Sequence, residues 1–165
     1  MRGAECVAHL AAETDLRKPA AQFRASNVDG TRAVVSAARA AGVKRLLHMS
    51  TEAVLAEGRP LVRVNEDHPL AAHPAGIYSE TKRDAERIAR AAQDELEVVV
   101  LRPRFVWGPG DTSVLPEIVA AVQAGRFAWP SGGRYLTSTT HVDNVVAAEP
   151  RSTSARIIGS ATTEP

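Results

Sequence analysis

The chain is 165 residues long, 44% hydrophobic and 24% charged, an ordinary composition for one globular core. Its net charge of +1, with acidic and basic residues interspersed, supplies no cationic stripe to neutralise a phosphate backbone, so no nucleic-acid partner is expected. Cys6 is the only cysteine, which rules out an intrachain disulfide and a cysteine-cluster metal site. No stretch approaches the roughly 20 apolar residues that span a bilayer. A cytoplasmic location with no membrane partner is the expectation. His68 and His73 lack a nearby third ligand and read as surface histidines, so no metal is expected.

In chain order, Cys6 to Leu10 reads as a buried strand running into the small-residue corner Ala11-Ala12. Pro19 then fits a helical first turn. Phe23, Val28, Ala33, Val34, Ala37, Ala38 and Ala41 keep helical spacing up to a glycine C-cap at Gly42. Arg45 to Met49 is a short strand, and the proline- and charge-bearing loop from Ser50 to Ala75 is long enough to suggest function. A second helix is predicted from about Ile77 to Gln93. Glu97 to Leu101 is a β-branched run without polar alternation, as in a parallel strand covered on both faces. A third helix is predicted from about Pro116 to Ala124, a short strand near Tyr135, and a helical start from His141 to Ala148. The pattern is that of a doubly wound α/β layer. Residues 1–148 are expected to form the domain and 149–165 an irregular tail, with Glu149-Pro150 interrupting the last helix.

Tyr78 and Lys82 are four apart, so the phenol and the ammonium project from one helix face. A phenol has a pKa near ~10, and its use as an acid or base near neutrality calls for a neighbouring positive charge, which Lys82 can supply. The competing reading is a half-buried aromatic beside a solvated lysine. Ser50-Thr51 ends the Arg45 to Met49 strand on the side where open parallel sheets place ligands. Taken alone, a Ser-Thr pair there is a turn or helix cap. Arg102 reads as either a partner for a substrate anion or an anchor for a neighbouring loop. Arg104 and Trp107 are candidates to line a substrate pocket. His141 and Asp143 at a helix start read as a cap and stay outside the catalytic set.

Several motifs then fall in one order along about 140 residues: Val7-Ala8-His9-Leu10-Ala11-Ala12, Asn27-Val28-Asp29-Gly30-Thr31, Gly42-Val43-Lys44-Arg45, Ser50-Thr51, Tyr78 to Lys82, Leu101-Arg102-Pro103, Trp107-Gly108-Pro109-Gly110-Asp111 and His141-Val142-Asp143-Asn144. In these the chain resembles the extended short-chain dehydrogenases/reductases, which include sugar epimerases, dehydratases and 3β-hydroxysteroid dehydrogenase-like enzymes. The resemblance implies NAD or NADP as cofactor, a small-molecule substrate and, as one expected assembly, a homodimer. It implies that Tyr78 is the catalytic acid/base, that Lys82 holds the nicotinamide ribose and lowers the Tyr78 pKa, and that Thr51 hydrogen-bonds the substrate oxygen. Asn27 would complete a proton relay. Ala11, Ala12, Ser50, Tyr78 and Pro103 would lie against the cofactor.

The family opens on a glycine-rich turn that holds the pyrophosphate, and nothing of that kind precedes Ala11. The expected architecture is therefore an incomplete Rossmann-like sheet lacking its first βαβ unit, cut again after Ala148. Gly108-Pro109-Gly110 has Ser113 where a third glycine would fall and reads as a turn, not a phosphate cradle. Glu52-Ala53 stands where sugar dehydratases carry Asp-Glu, which disfavours dehydration, and Val54-Leu55-Ala56 replaces the family's common Val-Tyr-Gly. The expected activity is an alcohol/ketone oxidoreductase. A non-catalytic truncated remnant and a sugar epimerase stand as alternatives.

Overall fold

The computed structural model describes residues 3–112, 114–134 and 137–151. Three strands, β1 (Cys6–His9), β2 (Arg45–Met49) and β3 (Glu97–Leu101), form a parallel sheet in that order. The register aligns His9 with His48 and His48 with Val100, and brings Met49 level with Leu101, so the strands end together. Parallel neighbours need crossovers. These are α1 (Ala20–Phe23) with α2 (Gly30–Ala40), and α3 (Ile77–Arg90). Alternation along the strands then sorts the core. Leu46 packs with Val35, Ala38, Ala89 and Ala92 of the crossovers, while Leu47, Val99 and Leu101 form a second cluster on the other face, against Ala148. An α/β layer of parallel strands covered by helices is what the sequence predicts.

Three predicted elements differ in detail. The strand expected to be buried from Cys6 to Leu10 ends at His9, and only His9 in it is buried, because β1 pairs on one side alone among the described residues. The long helix expected from Pro19 is broken by a π-helical stretch, Arg24–Asp29, whose end is marked by the Gly30 N–H bonding the Ala25 carbonyl five residues back. Its far end follows expectation. Gly42 sits at φ +67°, with its N–H on the Arg39 carbonyl and the Val43 N–H on Ala38 at 3.0 Å each, the Schellman arrangement that only glycine adopts without strain.

The final helix, α5 (Val142–Arg151), runs past the Glu149-Pro150 pair expected to stop it. Between β3 and α5 lie α4 (Val114–Gln123) and a two-stranded parallel ribbon of β4 (Val106–Trp107) and β5 (Thr140–His141). The expected strand near Tyr135 and most of the expected tail lie outside the described residues. Gly108, with the Asp111 N–H on its carbonyl at 3.1 Å, makes the predicted turn. A Cβ there would stand 2.6 Å from Val142 Cγ1, so the ribbon closes onto α5 only over a glycine. No helix among the described residues is long and apolar enough to cross a membrane.

Candidate active site

Helix α3 starts at Gly76 without a side-chain cap and buries Thr81, Lys82, Ala85, Glu86 and Ala89. The face that packs on the sheet therefore carries two charged groups. Lys82 is only 4% exposed and its ammonium donates to the Met49 carbonyl at 2.5 Å. Burial pushes its pKa down to about 8, against the opposing pull of Glu86. One turn earlier stands the Tyr78 phenol, half-buried. Burial raises its pKa, a hydrogen bond with Thr51 lowers it and Glu52 raises it again. The resemblance implied a phenol lowered by Lys82. Here the phenol is raised: burial is the largest of these causes and Lys82 is not among them; its ammonium is turned to the Met49 carbonyl.

The segment after β2 follows β3 past the end of the sheet: the Ser50 N–H bonds the Leu101 carbonyl at 2.7 Å and the Glu52 N–H bonds Pro103 at 3.3 Å. Thr51 is extended, and its hydroxyl also accepts from the Ala53 N–H at 3.3 Å, capping a 3-10 turn over Glu52–Leu55. The capping reading and the proximity to Tyr78 thus both hold. The Ser50 hydroxyl is buried and donates to Glu86 at 2.7 Å. Arg102 pairs with Glu86 through two hydrogen bonds, of 2.6 and 3.1 Å, and reaches the Glu66 carbonyl. It is a loop anchor, as one of its two readings had it. Arg104 lies 3.6 Å from Glu52 and so borders the Tyr78 phenol through that carboxylate. The loop beyond Thr51 folds around a cavity of about 500 Å3 lined in part by Leu55, Leu61, His68 and Leu70.

Asn27 is 1% exposed. Its side-chain oxygen accepts from the Glu13 N–H at 2.7 Å, and its amide nitrogen donates to the Glu13 carbonyl and to the Thr81 hydroxyl. It ties the segment after Ala11-Ala12 to α3, next to Lys82. On the same side of the sheet, His9 bonds the Thr31 hydroxyl at 2.9 Å and lies 5.5 Å from the His48 ring. Neither ring nitrogen of His48 has a hydrogen-bond partner among the described residues.

Burial first, then Lys82 and His9, push the His48 pKa down to about 3. Unfolded, the imidazole titrates near ~6.5. The folded chain holds His48 neutral, so its contribution to stability is complete above pH ~6.5 and is lost as pH falls toward the folded value. His48→Leu is expected to keep about 3 kcal/mol more of its stability than the parent on going from pH 7 to pH 4. Urea unfolding at both pH values measures this, and equal losses in the two chains would remove His48 as the cause.

Ala11 is exposed and Ala12 half-buried at the end of β1, and Pro103 is half-buried beyond β3. All three lie at the carboxyl edge of the sheet with Ser50 and Thr51. Trp107 is not drawn into this group by its contacts. Its indole donates to Thr139 at 3.0 Å and its ring packs edge-on against His141. His141 in turn accepts from the Asp143 N–H at 3.2 Å, the cap expected of it. Sequence reasoning passed over Glu86, Thr81 and His48. For Glu86 a signal was present, since Tyr78, Lys82 and Glu86 share one four-residue spacing.

Residues 1–150 match the 3-beta hydroxysteroid dehydrogenase/isomerase family. The chain is 49% identical over 146 residues to 4-hydroxy-2-methyl-3-oxo-4-farnesyl-3,4-dihydroquinoline-1-oxide ketoreductase of Stigmatella aurantiaca, covering 88% of this chain and 44% of that one. It is 31% identical over 150 residues to the decarboxylating sterol-4-alpha-carboxylate 3-dehydrogenase of Bos taurus, covering 88% and 42%. Among solved structures, MoeE5 in complex with UDP-glucuronic acid and NAD is similar with a TM-score of 0.74 at 29% identity, over 96% of this chain and 55% of that one. The chain thus spans under half the length of these curated relatives.

Proposed function

Because this chain belongs to the 3-beta hydroxysteroid dehydrogenase/isomerase family, we propose that it carries the catalytic section of an NAD(P)-dependent oxidoreductase that interconverts a ketone and a secondary alcohol. The observation that supports this most is the pair of buried Lys82 and half-buried Tyr78 one turn apart on α3, with Lys82 donating to the Met49 carbonyl at the end of β2 and Thr51 among the groups that act on the phenol. The likeness to a ketoreductase and to a 3-dehydrogenase points to the same reaction.

The nicotinamide, when bound, supplies or accepts the hydride. The residues fit such a group. Lys82 spends one of its three N–H donors on Met49 and keeps the others for ribose hydroxyls. Ala11, Ala12 and Pro103 offer small or apolar surface along the same sheet edge, and Ser50 contributes backbone only, its hydroxyl being spent on Glu86. Thr51 orients the substrate oxygen and Tyr78 exchanges its proton with it. Like any phenol whose pKa is not lowered, Tyr78 is protonated at neutrality, the form that donates to a carbonyl oxygen in ketone reduction. Asn27, which the resemblance assigns to a proton relay, steadies Thr81 beside Lys82 with its amide hydrogens held by Glu13 and Thr81. Arg104, beside Glu52, is assigned to the substrate side of this scheme together with Trp107, whose observed contacts are with Thr139 and His141, and a farnesylated relative substrate suggests one with an apolar body.

Titrating the chain with NAD and with NADP tests the proposal, using the fluorescence of its two tryptophans. Saturable binding that Lys82→Ala weakens about tenfold or more is expected, the loss of a charge-assisted hydrogen-bonding group. A folded chain that responds to neither cofactor would make the non-catalytic remnant the better account.

A further inference from the structure

Glu86 follows Lys82 by one helical turn on α3 and is 0% exposed. Both of its oxygens are occupied. Oε1 accepts from Arg102 Nη2 at 2.6 Å, and Oε2 from Arg102 Nε at 3.1 Å and from the Ser50 hydroxyl at 2.7 Å. Arg90 reaches Oε1 at 3.5 Å from the solvent side. Ser50 is the first residue after β2 and Arg102 the first after β3. One carboxylate therefore fastens the helix that carries Tyr78 and Lys82 to the ends of two adjacent strands, and Ser50 is the immediate neighbour of Thr51.

A buried ion pair adds little stability over well-packed apolar side chains of similar size, so stability alone is a weak reason for one here. Geometry is a stronger one. Reacting groups must be held to a fraction of an ångström, and those holding them are themselves locked by hydrogen bonds. We infer that Glu86, with Arg102 and Ser50, is a positioning residue: its carboxylate sets the separation between Thr51 on the strand end and Tyr78 and Lys82 on the helix. What the positioned groups do rests on the dehydrogenase reading above, whereas the clamp itself rests on geometry alone.

The consequence is readable at Tyr78. Thr51 and Glu52 of the 50–55 segment, which Ser50 anchors, both act on the phenol. Releasing the segment lets water reach the phenol. Desolvation is the largest cause of its raised pKa, so the titration should fall toward the ordinary value.

The test uses the full chain, its Glu86→Gln and Ser50→Ala variants, and the paired Glu86→Gln/Arg102→Met variant, which leaves no buried charge alone should the single Gln variant fail to fold. Tyr78 is titrated by phenolate absorbance against a Tyr78→Phe background, which removes the contribution of Tyr135, and NAD affinity is measured on the same samples. In variants that unfold cooperatively, we expect the phenol midpoint to fall by about half a pH unit or more and the NAD dissociation constant to rise about tenfold. If the parent binds no NAD yet the midpoint still shifts, the cofactor reading fails and the clamp stands. If the parent binds NAD and the folded variants match it in both measurements, the clamp is overturned and the cofactor reading stands.

Discussion

Tyr78→Phe is expected to slow ketone reduction by about 10²- to 10⁴-fold, the usual contribution of a positioned general acid, while leaving cofactor affinity within about twofold. Phenylalanine keeps the ring and its burial and deletes only the hydroxyl. Among its described neighbours, neither Thr51 nor Lys82 stands ready to replace it. Thr51 is a far weaker proton donor, and Lys82 is held on the Met49 carbonyl by a 2.5 Å hydrogen bond. The pH dependence follows from the direction of the Tyr78 shift. Burial raises its pKa, so reduction should be level through neutrality and decline only as pH passes the raised value, while alcohol oxidation should rise over the same range. Single-turnover reduction, followed by the loss of nicotinamide absorbance, checks both statements. A loss under threefold would assign the proton to another group.

The reach of the sequence follows from which features are local. β3 was legible because Val98, Val99 and Val100 form a run that only a strand covered on both faces accommodates, and the end of α2 because Gly42 marks a Schellman turn. The π-helical stretch was not, since it shows in a bond from the Gly30 N–H to a carbonyl five residues back, and within it Asn27 reaches back to Glu13, a contact that no periodicity encodes. Likewise β4 and β5 are two residues each and pair across a long interval, too short to show alternation. In the site, helical spacing and a strand end, both local features, singled out Tyr78, Lys82 and Thr51, while the roles expected of them came from the family resemblance. The buried Glu86 did not, because a charged residue on a charged helix face reads as solvated until its partner on another element is known. Arg102 was left between two readings for the same reason, as its choice of partner is decided across the fold.

That buried pair supports the largest stability effect we expect. Arg102→Ala should lower the unfolding free energy by about 3 to 5 kcal/mol, a large share of the 5 to 15 kcal/mol typical of a folded domain. The substitution leaves a carboxylate of 0% exposure with the Ser50 hydroxyl at 2.7 Å and Arg90 at 3.5 Å as its remaining partners, and it opens a space where the guanidinium lay. It also removes the Arg102 contact to the Glu66 carbonyl at 3.5 Å, in the segment between β2 and α3. The cause can be separated from simple loss of volume. Arg102→Met fills much of the same space but strands the same charge, so it should be nearly as damaging as alanine. Adding Glu86→Gln to it should then recover most of the loss, because the desolvated charge goes with it. Urea unfolding of the four chains at neutral pH gives the comparison. If Arg102→Met alone retains the parent's stability, the carboxylate is being solvated in some other way, and the interior around Glu86 is wetter than its burial indicates.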